Sequence, residues 1–285
     1  ERVTARTAIA VAEAAQGETY FEPLGLVGYG EQPAVDAIEM QDEQEPNDQP
    51  GQARPLQLPA VVRGKIFASP TEGRADVDLY RFSASQGDQW VIETRAAADK
   101  SELDSMIEIL SSDGRPVPRL LLRAVRDSEV EFRGISSDQR GARLKNYEEM
   151  LLNEYVYVNG EVIKHFRQRR GPDSESLFYP EDGNRYTFFD TTARSHPLGQ
   201  LCYVVIPYPI GTVLPDNGLP VFTVNYENDD DGERKLGRDS RINFVAPQDG
   251  DYLVRVKDVR GFEGEKFDYR LILRRPSPDF SISVE

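Results

Sequence analysis

Short stretches in which apolar and polar residues alternate, each cut off by Gly, Pro, Asn or Asp, run through most of this chain. Strict alternation puts every second side chain on one face, the pattern of a half-buried strand and not of a helix. Val61–Phe67, Asp78–Phe82, Trp90–Thr94 and Met106–Leu110 form one such group, the last ending at a turn containing Asp113-Gly114. Arg241–Val245, Tyr252–Val256 and Phe267–Leu273 form a second, with a turn at Gln248-Asp249-Gly250. Strands of this kind must pair antiparallel and bury one face against a second layer. The expected fold class is therefore all-β, an antiparallel β-sandwich. With 285 residues and 39% hydrophobic content, the chain has the material for a real core.

Between the two groups the texture changes. Glu154–Val158 and Glu161–Phe166 flank Asn159-Gly160, the signature of a two-residue type I′ hairpin. Residues 139–150 are polar and are read as a short helix with Tyr147, Met150 and Leu151 on one side. Residues 167–183, rich in Arg, Gly, Pro, Asp and Ser, read as a long exposed loop. The organisation expected is a sandwich from 41–117 and 225–276, interrupted by a β-rich insertion at 118–224. Residues 1–40 are assigned to a strap, a linker or the edge of a preceding domain, and 277–285 to a C-terminal extension. A chain opening on Glu1, with no signal peptide, is expected to be processed or excised from a longer protein.

The formal net charge of -15 argues against a nucleic-acid partner, because phosphate backbones select basic surfaces. No stretch approaches the ~20 apolar residues of a membrane span. The single cysteine, Cys202, lies in the apolar run 201–206 and is read as a core residue. The two histidines, His165 and His196, are far apart in sequence, so a zinc site is not indicated. Ser195-His196 is adjacent in sequence, but a nucleophile and its base need converging side chains. No nucleophile-elbow, metalloprotease, phosphate-loop or dinucleotide motif occurs.

Three acidic clusters carry the chemistry. Asp42-Glu43-Gln44-Glu45-Pro46-Asn47-Asp48 concentrates oxygen-bearing side chains next to a proline; Asp76-Val77-Asp78 sends two carboxylates to one side of an extended segment. The third is Glu227-Asn228-Asp229-Asp230-Asp231-Gly232. It fails as an EF-hand, because Arg238 falls where the bidentate acid is required. Calcium takes six to eight hard oxygen ligands, and such loops supply them. A different surface is offered by Arg167, Arg169 and Arg170 with Tyr179 and Tyr186, a basic-aromatic stretch suited to sugars, peptides or anionic polysaccharide.

The run Glu43-Gln44-Glu45-Pro46-Asn47-Asp48 resembles the opening of bacterial pre-peptidase C-terminal (PPC) domains, a resemblance that implies a jelly-roll-like β-sandwich. The likeness continues through Val62-x-Gly64-x-Ile66, Asp76-x-Asp78-x-Tyr80-x-Phe82, the Gly87 turn and Leu103-Asp104-x-x-Ile107-x-Ile109. After a gap it resumes with Asn228-Asp229-Asp230, Asp239-Ser240-x-Ile242-x-Phe244, Pro247-x-Asp249-Gly250-x-Tyr252 and Tyr269-x-Leu271. The chain departs from the family by spending about 110 residues where members pass within a few (118–224). The arrangement is also similar to planctomycete-type exported proteins. By resemblance to the related collagen-binding modules of clostridial collagenases, Glu43, Glu45, Asn47, Asp48, Asp76 and Asp78 become calcium ligands, beside Asp229, Asp230 and Asp231 from the third cluster.

The function implied is a non-catalytic, Ca2+-binding accessory module of a larger secreted, periplasmic or cell-surface bacterial protein. It would orient neighbouring domains of the same polypeptide and adhere to extracellular protein or polysaccharide. The alternatives are a carbohydrate-binding module that uses the insertion, and a hydrolase with a carboxylate pair.

Overall fold

A computed structural model describes residues 10–13, 19–22, 34–67, 76–168, 175–180 and 182–276. Among them there are strands and 3-10 turns but no α-helix. The strands before the insertion are β1 (Ala10–Glu13), β2 (Thr19–Glu22), β3 (Met40–Asp42), β4 (Arg54–Pro55), β5 (Ala60–Lys65), β6 (Asp78–Ala84), β7 (Gln89–Arg95) and β8 (Ser105–Ser111). Next come β9 (Pro118–Glu129), β10 (Gly141–Ala142), β11 (Tyr155–Val158), β12 (Glu161–Gln168), β13 (Ser176–Phe178), β14 (Leu201–Tyr208) and β15 (Val221–Asn225). The chain finishes with β16 (Glu227–Asn228), β17 (Arg241–Val245), β18 (Gly250–Asp258) and β19 (Asp268–Arg274). The fold is all-β, as the alternation predicts, and β1 and β2 pair only with each other.

Two five-stranded sheets, ordered β17-β7-β19-β5-β3 and β16-β8-β18-β6-β4, enclose one core. Val62, Ile92, Phe244 and Leu271 face Tyr80, Phe82, Ile107 and Val254 across it. Phe244 lies edge-on to Phe82, Tyr226 and Tyr252, with ring centroids 5.8, 5.0 and 5.0 Å away. Burying side chains of this size stabilises the fold by roughly 1.5–3 kcal/mol each. The flanking strands break the antiparallel rule. β3 runs parallel to β5, with Met40 opposite Val61, and β4 runs parallel to β6. On the other side of β5 lies β19, with Leu273 opposite Ala60.

A third sheet has seven strands in the order β10-β13-β12-β11-β14-β9-β15, all drawn from 118–225. The chain leaves and re-enters the sandwich at neighbouring points. Val117 N–H donates to Ile109 O (2.9 Å), Ile109 N–H to Tyr226 O (2.8 Å) and Tyr226 N–H to Val117 O (3.0 Å). Asp190 ties the two parts together: its carboxylate pairs with Arg119 and accepts from Asn243 N–H (2.9 Å) on the edge strand β17.

Two local expectations are corrected. In 139–150 there is no helix; β10 and one 3-10 turn, Tyr147–Glu149, take its place, with Met150 buried and Leu151 exposed. Within 167–183, β13 is fully buried, so this stretch is not all exposed loop. The Asn159-Gly160 turn has φ of 43° and 93°, the positive pair a type I′ hairpin requires. Residues 277–285 and most of 1–33 lie outside the described residues.

Candidate metal centre

β3 delivers the first acidic cluster to the side of β5. Pairing extends one residue past β3, with Glu43 N–H donating to Arg63 O (2.9 Å), and this points the Glu43 carboxylate across Gly64. That carboxylate accepts the Lys65 N–H (2.9 Å) and the Tyr80 hydroxyl (3.4 Å). A Cβ on residue 64 would fall 2.4 Å from the Tyr269 ring and 2.5 Å from the Glu43 carboxylate. Glycine is therefore the residue that lets strap and sheet approach. The Tyr80 and Tyr269 hydroxyls are 2.6 Å apart, and Tyr269 donates to one oxygen of Asp78. The other oxygen of Asp78, Oδ1, is buried and has no hydrogen-bond partner.

Beyond the cis Glu45-Pro46 bond the strap closes over the start of β6. Asn47 N–H donates to the Glu45 carboxylate (3.0 Å), Leu79 N–H to Asn47 O (3.1 Å) and Val77 N–H to Asp48 Oδ1 (3.4 Å). Asn47 is 1% exposed, yet neither Oδ1 nor Nδ2 of its amide has a partner. Asp76 accepts the Phe67 N–H (2.6 Å). The result is two carboxylate triads, Glu43–Glu45–Asp78 and Glu45–Asp48–Asp76, sharing Glu45; within each, ligand oxygens lie within 4.8 Å of one another. Six of the acidic and amide residues singled out in the sequence are thus brought to one place.

The electrostatics follow from burial without a counter-charge. Burial pushes Asp76 up to about 7, and the neighbouring charges of Glu45 and Asp48 add to it. Asp78 is raised well above the usual carboxylate range, first by burial and then by Glu43. Glu43 is raised too, chiefly by burial. No protein cation is among the causes given for these three groups.

The third cluster divides. Asp229 and Asp230 meet Asp104 within 4.8 Å, but Asp231 turns away, accepting Lys235 N–H (2.7 Å) and Leu236 N–H (3.1 Å) to hold its own loop. Burial, then Asp230 and Asp104, pushes Asp229 up to about 7. Arg234 lies 3.5 Å from Asp230 and Arg260 3.9 Å from Asp104, so this group already has cations beside it.

In the basic-aromatic stretch, Arg167 lies over Phe166, which packs edge-on to Tyr179 at 5.0 Å; Lys164 also faces Tyr179. Tyr186 N–H donates to Tyr179 O (2.7 Å). Arg169 and Arg170 lie outside the described residues. Ser195 is exposed while His196 is buried against Glu161, so this pair does not converge. Residue patterning alone missed the site roles of Tyr80, Tyr269, Gly64 and Asp104. The legible signal was Gly64, a glycine inside an otherwise apolar strand.

No family model matches the chain, and no curated protein does. Among solved structures it aligns with CorA, a surface-associated copper-binding protein of Methylomicrobium album BG8. That alignment has 11% identity, covers 84% of this chain and 98% of that one, and has a TM-score of 0.22. It also aligns with the secreted protein MopE of Methylococcus capsulatus, in which an oxidized tryptophan facilitates copper binding (10% identity, 83% and 98% coverage, TM-score 0.22). At that TM-score the backbones do not superpose as one fold, and neither protein's chemistry is carried to this chain.

Proposed function

We propose that this chain is a non-catalytic accessory module that binds calcium between the 43–48 strap and the start of β6. The observation that carries the reading is an all-oxygen site built on the buried Asp76, Asp78 and Asn47, whose Asp78 Oδ1 and Asn47 Oδ1 have no hydrogen-bond partner among the described residues and whose acids have no protein cation shifting them. An unpaired buried charge is costly, and a divalent ion relieves the repulsion and supplies the missing partner together. The donors are carboxylate and amide oxygens, with no thiolate or imidazole among them. That set suits a hard cation, and its crowding of ligands suits calcium over magnesium, which keeps several waters. The ordered motif series resembling PPC domains supports the same reading. On it, the bound ion fixes the strap to the sandwich and so orients the segments on either side, in a secreted or surface-exposed setting where calcium is available.

The test is a thermal melt with calcium, with magnesium and with EGTA, for the wild type and Asp78→Asn. At a hundredfold excess over Kd, calcium should add about 2.7 kcal/mol to the folded state, with magnesium well behind. Asp78→Asn removes a repelled charge, so its EGTA melt should match or exceed the wild type while its calcium response disappears. Identical wild-type melts in all three conditions would sink the reading.

A further inference from the structure

The insertion carries an exposed apolar knob held in a strained conformation, and this lies far from the cation chemistry. Just beyond β9, Arg133 N–H donates back to Glu131 O (2.8 Å), with Phe132 between them at φ 69°. This is a γ-turn of the rare, positive-φ hand, which a bulky side chain adopts at a conformational cost. The strain presents the ring to solvent, with Phe132 69% exposed and Leu198, which lines the same depression, at 62%. Strain and apolar exposure together, with no gain to this chain's own core, mark a contact surface.

The same place holds a shallow, open depression lined by Val130, Glu131, Phe132, Arg143 and Leu198, among others. The knob therefore stands at the side of a shallow seat. Its charges are mixed. Glu131 has no ion pair among the described residues, Arg143 Nε is buried without a hydrogen-bond partner, and Arg133 reaches Glu175 only at 4.0 Å. On a chain of net charge -15, a patch in which acids and arginines balance is one that a second copy can approach without repulsion. A knob, a shallow seat and both signs of charge within one patch suit an isologous two-fold contact.

We propose that Phe132 is the centre of a self-complementary face through which two copies of this chain pair. Each Phe132 packs onto the partner's depression, and Glu131 of each copy meets the arginines, Arg133 and Arg143, of the other. This inference does not depend on the cation site. Sedimentation equilibrium of the full chain, in EGTA and at protein concentrations up to about 200 µM, should show a monomer–dimer equilibrium with a Kd of about 100 µM or tighter. Phe132→Gly removes the ring and suits the positive φ, so it should be monomeric throughout while melting no lower than the wild type. Glu131→Lys should weaken pairing at least tenfold. A wild type that stays monomeric over the whole range overturns the proposal, and so does a Phe132→Gly chain that pairs as the wild type does.

Discussion

Two fully buried carboxylates, Glu161 in the insertion and Asp78 in the sandwich, meet opposite treatment. Glu161 accepts two hydrogen bonds from Arg185 (2.6 and 2.9 Å), one from the His196 ring (2.6 Å) and one from Arg194 N–H (2.9 Å). Arg185 places its remaining hydrogens on the carbonyls of Ser136, Gln139 and Arg194. Burial pushes Glu161 up, but the His196 and Arg185 hydrogen bonds and the Arg185 charge outweigh it and hold the carboxyl below its usual range. Asp78 has one tyrosine hydroxyl, and its charged neighbours Glu43, Asp76 and Glu45 are all acidic. Where a buried acid is purely structural, the chain completes its shell. Where it leaves the set of partners incomplete, as at Asp78, the proposed cation would supply the missing positive charge.

The largest test of that contrast is Arg185→Met, which strands the Glu161 charge. It should cost about 3–5 kcal/mol, lower the melt equally with and without calcium, and be largely rescued by Glu161→Leu. A calcium-dependent loss would mean that the two acids are not separate cases. Gly64→Ala comes next. Its Cβ collides with Tyr269 and Glu43, so it should cost about 1–3 kcal/mol and weaken calcium binding in a titration by isothermal calorimetry.

The smallest effect is the pH dependence without metal. Asp76, ordinarily near 3.8, titrates at about 7 in the folded chain, and Asp78 is shifted the same way. Between those values the folded state holds protons that the unfolded state has released. The stability these groups contribute is complete below the unfolded pKa and is lost as pH rises through about 7. Glu161 and Asp258 are lowered and act oppositely, losing their contribution only as pH falls through their folded values, below the usual carboxylate range. In EGTA the melting temperature should therefore fall between about pH 5 and about pH 8, and calcium should flatten the trend.

The sandwich was legible because its strands alternate cleanly: β5, β6, β7, β8, β17, β18 and β19 all fall on stretches picked out by period and turn residues. The six strap and Asp76–Asp78 residues were legible as a crowd of oxygens. The tyrosine hydroxyls behind them were not. Tyr80 and Tyr269 look like any alternating aromatic, and only the cross-sheet approach over Gly64 turns their hydroxyls toward Asp78. Asp104 was silent for a similar reason, since its partners Asp229 and Asp230 come from the far end of the insertion. Asp231 misled because a loop-capping aspartate and a ligand share one composition. In 139–150, polarity without helical period gave way to a pairing, β10 with β13, that depends on a strand more than thirty residues later.

The parallel placement of β3 has a mechanical consequence. Met40 lies opposite Val61 on one side of β5, and Leu273 lies opposite Ala60 on the other. The polypeptide thus arrives and departs at the same end of one sheet, two strand spacings apart, or about 10 Å. A unit wired this way holds Met40 and Arg274 side by side, as a bracket does. Tension applied across those two residues would peel β3 from Met40 towards Glu43, so the first side chains to carry the load after Asp42 are the acids of the strap.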